Sequence, residues 1–163
     1  MSAVWLRRVD RRKALAILAR ERPADEPWAE GYPTNGDLES ATMLLRTLRT
    51  RPDVGAFGVY EIVERATGLT IGGIGFHRPP GPDGVVEVGY GLVPSAWNRG
   101  YATDALGQIL VIARDHQARR LEGRALIDNV ASRRVMEKAG LSFVVEVEGY
   151  ARYEIELHEN ETR

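Results

Sequence analysis

The sequence predicts a mixed α/β fold, with a central, mostly antiparallel sheet of about seven strands flanked by about four helices. Three observations carry that expectation. In the middle of the chain, short runs of alternating apolar residues follow one another with only turns between them, the pattern of an antiparallel meander. Two segments after the meander repeat apolar residues at helical spacing, each leading into another strand-like run, the pattern of a strand-helix-strand crossover. The length of 163 residues, with no linker composition and no internal repeat, suits one hydrophobic core, so residues 1–163 are expected to form a single domain.

Each element has its own warrant. Val4 to Val9 reads as the first strand, and Asp10 is placed to cap a helix carrying Ala14, Leu15, Ile17 and Leu18. The stretch ERPADEPWAEGYPTNG is rich in Pro, Gly and charge, which makes it a loop. A second helix, from about Asp37 to Arg49, puts Leu38, Ala41, Leu45 and Leu48 on one face. Ala56 to Val63 and Leu69 to Phe76 are strands around ERATG, where Gly68 suits a tight hairpin turn. HRPPGPDG then interrupts the pattern, and Val85 to Leu92 is the next strand. Gly100 to His116 forms a helix whose stripe of Ala102, Ala105, Leu106, Ile109, Leu110 and Ala113 is broad enough to pack on a sheet. A short strand at Arg120 to Leu126 precedes a helix from Val130 to Ala139, capped by Asn129 and stopped by Gly140. Phe143 to Val147 and Tyr153 to Leu157 close the chain as a hairpin.

Charge and composition narrow the classes of function. Lys+Arg of 22 against Asp+Glu of 23 leaves a formal charge of -1, so there is no global positive field for nucleic acid or an anionic membrane, and any anion must be held by local geometry. The absence of cysteine excludes disulfides, thiolate metal sites and a cysteine nucleophile. No apolar run approaches the length of a membrane span, and the chain reads as a soluble, cytoplasmic protein. His77, His116 and His158 have no ligand-like spacing, so no metal is expected.

Two segments concentrate the chemistry. NRGYAT, Asn98 to Thr103, stands between the strand VVEVGYGLV and the long helix. A helix start exposes unpaired N–H groups at the positive end of a dipole, and Gly100 and Ala102 keep that surface low enough for a phosphate to reach it. A plain tight turn uses the same residues. The segment is neither a Walker loop nor a dinucleotide fingerprint, since both lack their required glycines and lysine here. The second segment, LIDNVASRRVMEKAGLSFV, puts Asn129 at a helix start, Ser132 one turn inside and a glycine at the end.

Together, VEVGYGLVPSAWNRGYATDAL and DNVASRRVMEKAGL resemble the GNAT superfamily of acetyl-CoA-dependent N-acetyltransferases, especially its ribosomal-protein N-terminal acetyltransferase type. The order of the other elements agrees with that fold along nearly the whole chain. One departure is Trp97, which stands where the superfamily loop usually carries Gln or Arg. The resemblance implies acetyl-CoA as cosubstrate, with its pyrophosphate on the amides of Asn98, Arg99, Gly100, Tyr101 and Ala102, and Arg99 also able to meet a phosphate. It implies a pantetheine arm paired like a strand with main-chain groups of Leu92 and Val93, and pantetheine amides on Asn129.

Ser132 then lies where a hydroxyl protonates or hydrogen-bonds the departing thiolate, and Glu87 is the expected base, acting directly or through a water. Trp28 and Tyr32, in the loop between the first two helices, are expected to wall the acceptor. Each residue also has a structural use. Asn129 caps, Ser132 satisfies a first turn, Glu87 can be a solvated carboxylate, and the aromatics pack under a loop. The expected reaction is acetylation of a primary amine on a protein N-terminus. The alternatives are a small amine such as an antibiotic or amino acid, and a non-catalytic acyl-CoA sensor. Exposed sheet edges leave room for a homodimer.

Overall fold

A computed structural model describes residues 1–158; residues 159–163 of the expected domain lie outside the described residues. Seven strands form one sheet: β1 (Val4–Arg8), β2 (Val59–Glu64), β3 (Thr70–Phe76), β4 (Val85–Leu92), β5 (Arg120–Leu126), β6 (Ser142–Val147) and β7 (Tyr150–Glu156). Four helices accompany them: α1 (Arg11–Ala19), α2 (Asn35–Thr47), α3 (Tyr101–Asp115) and α4 (Val130–Lys138). The spatial order is β1-β2-β3-β4-β5-β7-β6. All neighbours are antiparallel except β4 and β5, which run parallel because α3 crosses between them.

The two faces of the sheet carry different helix pairs. On one, α1 and α2 bury Ala14, Ile17, Ala41 and Leu44 with Val9 and Val54. On the other, Leu106, Ile109 and Leu110 of α3 and Met136 of α4 close the main core over Ile62, Ile74, Val86, Val88 and Leu121. Full burial of Leu106 and Ile109 contributes about 1.5–3 kcal/mol each. The assignment of faces follows from two glycines. A Cβ on Gly73 would meet the Asp37 carboxylate of α2, whereas one on Gly123 would meet the Met136 sulfur of α4.

Boundaries move where local chemistry outweighs apolar spacing. The second helix begins two residues before the expected Asp37, because Thr34 and Asp37 form a reciprocal capping box that recruits Asn35 and Gly36. β7 begins at Tyr150 instead of Tyr153, since Glu148 and Gly149 both take positive φ (51° and 84°) and close a two-residue hairpin directly after Val147. A short 3₁₀ turn, Pro94–Ala96, separates β4 from the α3 junction. Among the described residues, no helix is long and apolar enough to cross a membrane.

The pairing of β3 and β4 depends on glycine. A Cβ at Gly72 would sit 2.2 Å from the Gly91 carbonyl oxygen, a backbone atom that cannot yield without moving β4. Gly72→Ala is therefore expected to destabilise the protein by about 3 kcal/mol in chemical denaturation.

Candidate active site

The helix starts are not equivalent. Asp10 accepts from the Lys13 N–H at 2.8 Å, Thr34 from Asp37 at 3.3 Å and Asn129 from Ser132 at 3.2 Å, so α1, α2 and α4 each begin under a side-chain cap. α3 begins at Gly100 with no side-chain cap. Among the described residues, none accepts from the main-chain N–H groups of Asn98 through Ala102. Positive φ at Asn98 (59°) and Gly100 (80°) curls this segment, and a Cβ at Gly100 would have no heavy atom within 4 Å. The result is a concave, open set of donors at the positive end of a 15-residue helix.

Side chains around the curl fix it from behind. The Trp97 indole N–H donates to the Leu92 carbonyl at 2.9 Å while the ring stays 57% exposed. The Arg99 guanidinium lies 3.5 Å from the buried Glu64 carboxylate and 4.9 Å from the centre of the Tyr101 ring. Hydrogen bonds from the Thr67 and Tyr101 hydroxyls, together with Arg99, hold Glu64 below its ordinary carboxylate range. Arg99, expected to be able to meet a phosphate, also meets Glu64 here while staying more than half exposed, and Tyr101 contributes its ring as an anchor.

Beside this loop the sheet splits. β5 pairs with β4 only from Val85 to Val88, and β4 continues unaccompanied to Leu92. Successive residues of a strand turn their main-chain groups to alternate neighbours. His77 N–H donates to Glu87 and Val93 N–H to Ile71, both across to the β3 side, so Tyr90 and Leu92 face the gap left by β5. This corrects the expected pair. Val93 is fully buried and its N–H is committed to the sheet, whereas Tyr90 and Leu92 present the unaccompanied edge.

The same alternation separates the polar side chains of β4. Glu87 falls on the α2 face, where His77 Nδ1 stands 3.3 Å and Arg124 Nε 3.5 Å from its carboxylate. The His77 hydrogen bond, against the effect of burial and with help from nearby cations, lowers the Glu87 pKa. Tyr90 falls on the α4 face, and its hydroxyl lies 2.9 Å from Ser132 Oγ and donates to the Ser132 carbonyl at 3.1 Å. Burial raises the Tyr90 pKa. Asn129 uses its side-chain oxygen as the α4 cap.

Trp28 and Tyr32, the expected acceptor wall, pack against each other beneath the loop between α1 and α2. Tyr32 is buried, its hydroxyl donates to Glu61 at 3.2 Å, and its ring meets Trp28 edge-on at 5.1 Å. Burial first, and then the adjacent Glu61 charge, push the Tyr32 pKa up. Only 1% of Glu61 is exposed, and Arg7 and Lys13 neutralise it at 3.4 and 3.2 Å. Both aromatics take part in the packing beneath the α1–α2 loop. No metal-binding cluster of His, Asp and Glu occurs among the described residues. Tyr90, His77 and Glu64 were missing from the expected site, although Tyr90 shares the buried phase of Val86 and Val88 in the strand's alternation.

The uncapped helix entrance and the split parallel pair beside it are the two main features of the candidate site. The acetyltransferase (GNAT) domain family matches residues 4–142, a span that includes both features. The chain belongs to the GNAT acetyltransferase family.

This acetyltransferase is 26% identical over 117 residues to the uncharacterized N-acetyltransferase YjdG of Bacillus subtilis, covering 68% of this chain and 70% of that protein. A putative acetyltransferase from Salmonella typhimurium, solved with its cofactor acetyl-CoA, superposes with a TM-score of 0.67 at 18% identity over 98% of this chain and 97% of that one. Ribosomal-protein-S5-alanine acetyltransferase from Vibrio fischeri gives 0.65 at 15% identity, over 100% of this chain and 97% of that one. These two share the fold. As a member of the family, the protein is an acyltransferase that passes the acetyl group of acetyl-CoA to an amine. The open donors at 98–102 suit the diphosphate of that cosubstrate, since they offer unpaired N–H groups and no carboxylate of their own.

Gly100→Glu tests the entrance. The new side chain has space, and its positive φ costs about 1–2 kcal/mol of stability. A carboxylate against the diphosphate is expected to weaken coenzyme A binding by about 100-fold, read by calorimetric titration on a variant that still melts cooperatively.

Proposed function

We propose that this acetyltransferase modifies a protein N-terminal α-amine, as the ribosomal-protein type does. The observation that carries the reading is the environment of Glu87. A carboxylate whose pKa is lowered by His77 is a weak base, so it suits an acceptor that sheds its proton easily. An α-amine with pKa near ~8 costs about 1 kcal/mol to neutralise at pH 7, whereas a lysine side chain near ~10.4 costs about 4–5 kcal/mol. The resemblance of the two motifs to the ribosomal-protein type supports the same acceptor.

In this reading the amides of 98–102 hold the diphosphate and the unaccompanied edge of Tyr90 and Leu92 aligns the pantetheine arm. Glu87 draws the amine's proton, directly or through a water, on one face of β4. On the other face, Ser132 meets the departing sulfur. The nucleophile and the leaving group are thereby served from opposite sides of a single strand.

The test is thiol release from acetyl-CoA with four acceptors: Ala- and Ser-initiated peptides, a peptide blocked at its N-terminus with one free lysine, and spermidine. The unblocked peptides are expected to give the highest kcat/KM. A preference for spermidine transfers the assignment to small amines, and coenzyme binding without turnover on any acceptor makes the protein a sensor. Glu87→Gln is expected to lower kcat/KM at least about 10-fold near pH 6 and much less near pH 9, where the amine is already neutral. A loss of equal size at both pH values removes Glu87 as the base.

A further inference from the structure

The main chain of Tyr90 belongs to the edge that aligns the pantetheine arm; its side chain has had no part so far, yet its hydroxyl touches Ser132 twice, at the carbonyl oxygen (3.1 Å) and at Oγ (2.9 Å). Each hydroxyl carries one hydrogen, and a carbonyl oxygen only accepts. The contact therefore has two arrangements. In the first, Tyr90 donates to the carbonyl, and the Ser132 hydroxyl donates to Tyr90 and so points toward β4. In the second, Tyr90 donates to Ser132 Oγ, and the serine hydrogen is released to a third atom. Negative charge developing beside Ser132 selects the second arrangement.

We infer that Tyr90 is a positioning residue for the leaving thiolate, holding Ser132 Oγ as an acceptor so that the serine hydrogen is aimed at sulfur as the carbon–sulfur bond breaks. The inference rests on the role given above to Ser132. The bookkeeping of the step is simple. The ammonium first gives one proton to Glu87, directly or through a water, and from there to solvent. The neutral nitrogen then forms its bond to the acyl carbon, the carbon–sulfur pair departs on sulfur, and the second proton shed by nitrogen follows the same route to solvent. Sulfur takes a proton from solvent afterwards.

Neither hydroxyl is consumed. A thiol ionises near ~8.5 and a phenol near ~10, so a thiolate is too weak a base to strip tyrosine. Burial of Tyr90 widens that difference. What the pair supplies is a hydrogen bond made to sulfur only once charge is there, the kind of interaction that lowers a barrier without tightening ground-state binding.

The placement is built in from both sides. Strand alternation puts Tyr90 in phase with the buried Val86 and Val88, and the Asn129 cap fixes the first turn of α4. Further along α4, Arg133 donates to the Tyr153 hydroxyl at 3.0 Å and Tyr153 donates to Glu137 at 2.9 Å, which holds the helix against β7.

The experiment titrates the thiol of bound coenzyme A by the ultraviolet absorbance of its thiolate, which needs no acceptor. Ser132→Ala is expected to raise the bound thiol pKa by about one unit. Tyr90→Phe is expected to raise it by most of that amount, and the double variant to match Ser132→Ala alone. If Tyr90→Phe titrates like the parent protein, or adds its own shift to that of Ser132→Ala, the inference is overturned while the role of Ser132 stands. If Ser132→Ala titrates like the parent, the role of Ser132 fails and the inference with it. A ring-fluorinated tyrosine at position 90, a stronger donor of nearly the same shape, separates chemistry from packing. It is expected to lower the bound thiol pKa, and an unchanged or raised value overturns the inference.

Discussion

Two parallel strands that part after a short paired stretch govern this structure. Backbone N–H groups need acceptors, and leaving one buried and unmatched costs about 1–3 kcal/mol. Here β4 continues past the end of β5 pairing, and α3 begins without a cap a few residues later. Unmatched donors of two origins, one strand edge and one helix entrance, are thereby gathered in one region. Such a concentration persists only where solvent or a ligand supplies acceptors. In the proposed reading, acetyl-CoA brings them as a diphosphate and a chain of amides.

Two buried glutamates of β2 hold the surroundings still. Glu61, neutralised by Arg7 and Lys13 and bonded by Tyr32, ties the α1–α2 loop to the sheet. Glu64, meeting Thr67 and Arg99, ties down the start of α3. Removing one partner of a buried pair such as Glu61 with Lys13 typically costs about 3–5 kcal/mol, whereas the exposed Arg99 makes the Glu64 pair a weaker tie. These contacts therefore act as rigid supports for segments that lack regular pairing of their own.

Most of the architecture was legible because it is written in local signals. The limits of β4 and β5 follow from alternation alone, and Asp10, Asn129 and Gly140 mark helix ends by their capping chemistry. The junction at 98–102 was legible too, since a glycine with positive φ before a long apolar stripe is a local feature. What escaped depends on contacts between distant segments. That Tyr32 would turn inward follows from Glu61, 29 residues away, and that Arg99 would be engaged follows from Glu64 on another strand. The exchange of Val93 for Tyr90 at the open edge turns on which neighbour each residue's main chain faces, and that is fixed only once β3 and β5 flank β4.

The opposite orientations of Glu87 and Tyr90 along β4 bear on kinetic order. In the proposed arrangement, donor and acceptor approach through separate doors, so neither blocks the other's way in or out. Both must be aboard at once for direct transfer. In that arrangement a single ternary complex, rather than two half-reactions, is the order a two-sided strand favours.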